Sequence, residues 1–65
     1  MKNQELIDFL EELKKEADTM LDPATAGIFG AKIDATIVEI KKNEGVIQFN
    51  AATTVLHLVK EMCEA

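Results

Sequence analysis

Between Pro23 and Lys42 the apolar residues fall on two sides of a helix, and that doubling limits what the chain can fold into. At 100° per residue, Ala26, Phe29, Ile33, Ile37 and Ile40 occupy one arc about 80° wide, and Gly27, Ile28, Ala31, Ala35 and Val38 occupy a second. Asp34 and Lys41 lie in a narrow seam between the arcs, and Thr25, Lys32, Thr36 and Glu39 form a polar strip. A helix apolar on two sides is buried on two sides, whereas each member of a monomeric three-helix bundle needs one broad face. The second arc therefore predicts a second partner: another copy of the chain, or a different protein. The competing arrangement wedges this helix between the two others of the same chain.

The second arc is built of small residues. Gly27, Ala31 and Ala35 are four apart on one face, with Ala24 adjoining, and such a row lets two helix backbones approach closely. The same stretch, LDPATAGIFGAK, invites comparison with phosphate-binding loops. A Walker-type loop needs GxxxxGK followed by Ser or Thr, emerging from a strand. Here Gly27 and Gly30 are three apart, Lys32 follows Ala31, and a helix precedes the turn; GxGxxG is absent as well.

Two further helices flank this one. The first is expected over about 4–20, with Leu6, Phe9, Leu10, Leu13, Ala17, Met20 and Leu21 in an arc about 120° wide and Ile7 beside it. Asn3 is its expected cap, and Glu11 with Lys15 a favourable pair four apart. Asp22 followed by Pro23 predicts the start of the second helix, because Asp accepts N–H bonds at a cap and proline suits the first helical position. That helix is expected over 23–42, with Lys41 and Lys42 complementing the dipole and Asn43 and Gly45 offering a left-handed stop. The third occupies the remainder, about 47–64. Asn50 could cap it at Ala51, but the helical spacing of Gly45, Phe49, Ala52, Leu56, Val59 and Cys63 reaches further back and favours a start near Ile47. Its apolar arc is about 180° wide and includes Ala51, Val55, Leu58, Met62 and Cys63, so Cys63 is expected to be buried. Reading VIQF (46–49) as a strand leaves that strand without a partner, and strands must pair.

The expected fold is all-α: one domain over 1–65, a small three-helix bundle or a helical hairpin with a third helix, assembled as a homo-oligomer through Gly27, Ile28, Ala31, Ala35 and Val38. Of the residues, 48% are hydrophobic, a large apolar load for a domain whose small size limits its core; self-association is a common remedy.

Composition excludes several functions. Twelve acids stand against seven lysines and no arginine, for a net charge of −5, so binding to a nucleic-acid backbone is disfavoured. No apolar run approaches the roughly 20 residues that cross a membrane. The start MKNQELIDFLEE is too acidic for a signal peptide, and a single cysteine suits a reducing cytoplasm. Serine is absent, which removes serine nucleophiles. His57, the one histidine, falls on a polar face near Glu61 and Glu64 and reads as solvated; no metal site or cofactor is expected. Asp8, Glu12 and Glu16 line one face of the first helix, but the Glu-x-x-His pair of di-iron bundles is missing. A solvated acidic face is the plain reading; mimicry of a phosphate track toward a basic partner is the sharper one.

The expected function is that of a small acidic cytoplasmic interaction or regulatory module, acting through its helix faces on itself and another protein, without catalysis. The alternative is an oligomeric binder of a small anionic ligand such as a nucleotide, at an inter-subunit pocket formed by Thr25, Gly27, Gly30 and Lys32 near a helix N-terminus.

Overall fold

The computed structural model describes Lys2 to Glu64 as three α-helices: α1 (Asn3–Met20), α2 (Pro23–Lys42) and α3 (Ala51–Glu64). Among the described residues there is no strand, and Val46–Phe49 is a turn.

Asp22 and Pro23 begin α2 as their chemistry requires. Asp22 Oδ2 accepts the Thr25 N–H at 3.1 Å, and Pro23 is the first helical residue. At the far end Asn43 stays right-handed, its N–H donating to Glu39 O and Ile40 O and its side chain to Glu39 O at 2.8 Å. Gly45 alone takes the left-handed stop, at φ 84°.

Two boundaries differ from the periodicity. Lys2, not Asn3, caps α1, because the Glu5 carboxylate reaches back 3.4 Å to the Lys2 N–H. The start of α3 is Ala51, not Ile47. Asn50 Oδ1 accepts the Thr53 N–H at 3.3 Å, and the left-handed Gly45 feeds turns closed by Val46 N–H to Asn43 O and Phe49 N–H to Val46 O. Capping thus overrides the apolar spacing that runs back to Gly45.

The core joins Leu6, Ile7 and Leu10 of α1, Ile33, Ile37 and Ile40 of α2, and Ala51, Val55 and Leu58 of α3, with Leu13, Phe49 and Met62 packed against it. The helices run up, down and up. Lys14 pairs with Asp34 while Ala17 and Met20 share a recess with Phe29, and Lys32 pairs with Glu61 in a cleft that Glu39 and Thr54 also line, so α2 is antiparallel to both neighbours. The helix pair α1–α2 is the most extensively packed and α1–α3 the least.

Several residues expected inside lie outside. Cys63 is exposed, as are Phe9, Ala52, Leu56 and Val59. The 180° arc of α3 is wider than two neighbours can cover. Thr36 is the opposite case: placed on a polar strip by the sequence, it is buried, its hydroxyl donating to Lys32 O at 2.9 Å. Among the described residues the ion pairs are Lys14–Asp34 and Lys32–Glu61, so the expected Glu11–Lys15 pair does not form.

Candidate functional site

The outward face of α2 is the site that the sequence singles out. Its inner arc (Ala26, Gly30, Ile33, Ile37 and Ile40) is buried against α1 and α3 together. The other arc is left open. Gly27, Ile28, Ala31, Ala35 and Val38 are all exposed, Ile28 at 57% and Val38 at 63%. Helix α2 is the central one, as the competing arrangement expected: it packs against both α1 and α3, which touch each other least, and its outer arc stays exposed all the same.

Gly27, at the start of this face, does not serve packing within the chain. A Cβ on Gly27 would meet nothing within 4 Å, whereas a Cβ on Gly30 would lie 3.4 Å from Lys14 Cε. The Lys14 side chain of α1 thus lies over Gly30, while Gly27 and Ala31 are exposed and Ala35 is exposed at the edge of the α2–α3 cleft.

The residues of the anion-binding alternative are not brought together within one chain. The Thr25 N–H is taken by the Asp22 carboxylate, whose negative charge occupies the place an anion would need. Hydrogen bonds from Thr25 hold the Asp22 carboxyl below its ordinary 3.8. Gly27 faces outward, Gly30 lies under Lys14, and the Lys32 ammonium turns to Glu61 at 3.5 Å.

His57 lines a cleft of about 330 Å³ between α2 and α3 with Lys32, Ala35, Thr36, Glu39, Thr54, Leu58 and Glu61. Glu61 pairs there with Lys32, and opposite charges meet across the cleft without a convergent cluster of ligands. Among the described residues no group of three His, Cys, Asp or Glu is placed to hold a metal ion, and no helix is long and apolar enough to cross a membrane.

The accessible surface is 4664 Å², against about 4100 Å² for a folded monomer of 7.2 kDa by surface scaling. The excess accompanies an elongated shape of 38 × 21 × 17 Å and the uncovered apolar faces. The exposure of Phe9, Leu56 and Val59 was not legible from the sequence, which placed all three in core-facing arcs. No family model, no curated protein and no solved structure matches this chain.

Proposed function

We propose that this chain is a small acidic helical interaction module that acts without catalysis and pairs with a second copy through the outward face of α2. The observation that carries the reading is that Ile28 and Val38 flank Ala31 and Ala35 on a face its own helices leave bare. The spacing supports an isologous contact. Ile28, Ala31, Ala35 and Val38 are separated by 3, 4 and 3 residues, so bulky, small, small and bulky repeat symmetrically about Ile33. Two copies of α2 running antiparallel would set Ile28 against the partner's Val38 and Ala31 against the partner's Ala35. Self-complementarity of this kind is what a two-fold interface requires. The single thiol of Cys63 suits a reducing cytoplasm, the compartment included in this reading.

Solution mass measured over a range of concentrations tests the reading, with Ala31→Leu beside the parent. The parent is expected to reach twice the chain mass. Ala31 is exposed, so leucine leaves the isolated fold intact. Overpacking a close helix contact costs about 1–3 kcal/mol, or about 5- to 150-fold, and a two-fold pair carries the change twice, so pairing weakens by at least that much. A parent that keeps the mass of one chain at every concentration, or a variant that pairs as tightly as the parent, sinks the proposal.

A further inference from the structure

A second surface lies on the opposite side of the molecule from the α2 face. Asn3 and Leu6 share a recess with Ala51 and Ala52, while Leu13 and Ala17 share another with Met62. Helices α1 and α3 therefore run side by side in the same direction, and they are the least packed pair. By helical spacing Phe9 falls on the same side of α1 as Leu13, and Leu56 and Val59 fall on the same side of α3 as Ala52, so all three are exposed toward this seam; Ile47 lines the recess at one end, Met20 and Leu21 the recess at the other. These six make up two thirds of the nine large hydrophobic residues that are exposed. Isolated exposed apolar side chains are ordinary, but several gathered on one side of a small domain mark an interaction site. The end near Met20 opens into an almost wholly apolar recess of about 200 Å³, floored by Leu13, Ala17, Phe29 and Met62.

The charges beside the seam say what covers it. Outside Phe9, α1 carries Glu5, Glu12 and Glu16 on one exposed strip. Lys14 lies instead toward Asp34 and α2, while Lys15 stands between, lining one recess with Asp34 and another with Glu12 and Glu16; three glutamates against one lysine leave the strip net acidic. Outside Leu56, α3 offers Lys60. A second copy that laid its own seam antiparallel on this one would bring the two glutamate strips together, and like charges across an interface cost affinity.

We propose that the α1–α3 seam binds an amphipathic helix of another protein, one whose apolar stripe is flanked by lysines or arginines on the side that meets α1. The 14 residues of α3 span about 21 Å, so an occupant of about 14–18 residues matches the groove. Its apolar anchors at i, i+3, i+4 and i+7 fill the seam, one of them entering the recess beside Met20. Its basic flank meets Glu5, Glu12 and Glu16, which fixes its direction and speeds encounter. The proposal rests on the chain being an interaction module, but it uses a different face from α2.

The test is a titration at physiological salt with a synthetic amphipathic peptide of about 18 residues, leucine on its stripe and lysine on one flank, beside a scrambled peptide of the same composition. The parent protein is expected to bind the amphipathic peptide and not the scrambled one. Leu56→Glu is expected to weaken binding about tenfold or more, because it sets an unpaired charge in the apolar contact. Neutralising most of the strip with Glu12→Gln and Glu16→Gln weakens binding and reduces its salt dependence. Val38→Glu, on the α2 face, leaves it unchanged. Circular dichroism checks that each variant stays helical; all these positions are exposed. Equal binding of the scrambled peptide, no effect of Leu56→Glu, or an equal loss with Val38→Glu overturns the proposal. Loss of pairing in Ala31→Leu with no peptide binding sinks the seam alone; peptide binding by a chain that never pairs sinks the α2 interface alone.

Discussion

Lys14 and Asp34, twenty residues apart, are joined by a 2.8 Å hydrogen bond from the Lys14 ammonium to Asp34 Oδ2. The stem of the same lysine covers Gly30, so one side chain closes the α1–α2 contact with its carbons and ties it with its charge. The hydrogen bond, and then the nearby charge of Asp34, hold the Lys14 ammonium above its ordinary 10.5. A raised value means that the folded state favours the proton. The contribution is therefore complete below pH 10.5 and is lost as pH rises through the higher folded-state value. Lys14→Met, which keeps the stem over Gly30, is expected to melt slightly below the parent at neutral pH. Melting curves across the alkaline range should show that gap closing; a constant gap would mean that the ion pair contributes nothing and the stem everything.

The cap of α2 behaves in the opposite sense. Hydrogen bonds from Thr25 lower the Asp22 carboxyl below 3.8, so the folded state favours its ionised form. That contribution is present above pH 3.8 and disappears as pH falls through the lower folded-state value. Asp22→Ala is expected to lower the melting temperature by a few degrees at neutral pH, as loss of a helix cap does. Asp22→Asn, whose amide oxygen can still accept the Thr25 N–H, should recover most of the loss and remove the acid dependence. If the alanine variant melts with the parent at neutral pH, the cap is idle.

The two helical glycines of α2 should separate by context. Each costs roughly 1 kcal/mol against alanine in a helix interior. At Gly27 a Cβ would meet open space within the chain, and at Gly30 it would touch the flexible Lys14 stem at 3.4 Å. In dilute solution, where pairing is absent, Gly27→Ala is expected to raise stability by about 0.5–1 kcal/mol, and Gly30→Ala by less because Lys14 must shift. Denaturant unfolding at low concentration measures both. A destabilised Gly27→Ala would place hidden contacts on the outward face.

The fold was legible where local chemistry and periodicity agree. Asp22–Pro23, Gly45 and the arc from Ala26 to Ile40 each carry a signal that no neighbour can alter. The sequence misplaced the start of α3 because Asn50 and the spacing from Gly45 to Cys63 are competing signals, and the cap prevailed. It buried Cys63, Leu56 and Phe9 because a helical wheel shows which side is apolar but not how much of that side the neighbours cover. With α1 and α3 only loosely packed, part of both arcs stays open. The outward face of α2 was legible for the converse reason: two separate arcs on one helix exceed what its two neighbours bury.

The symmetry of that face makes a directional prediction. If two α2 helices pair antiparallel about Ile33, position 28 of one chain faces position 38 of the other. If they pair parallel, position 28 faces position 28. A disulfide forms without backbone movement only when the Cα atoms are about 4.4–6.8 Å apart, so cross-linking reads the direction. The background is Cys63→Ser, which removes the one native thiol at an exposed position. Ile28→Cys and Val38→Cys are both exposed and leave the core untouched. Under mild oxidation, a mixture of the two chains is expected to cross-link as the mixed pair much faster than either chain with itself. Adding Ala31→Leu to both chains should slow that reaction, since the close contact it relies on is overpacked. Faster linking of Ile28→Cys to its own kind would establish a parallel pair and remove the two-fold register about Ile33. Equal, slow linking in every mixture would mean random collision, and the outward face of α2 would not pair at all.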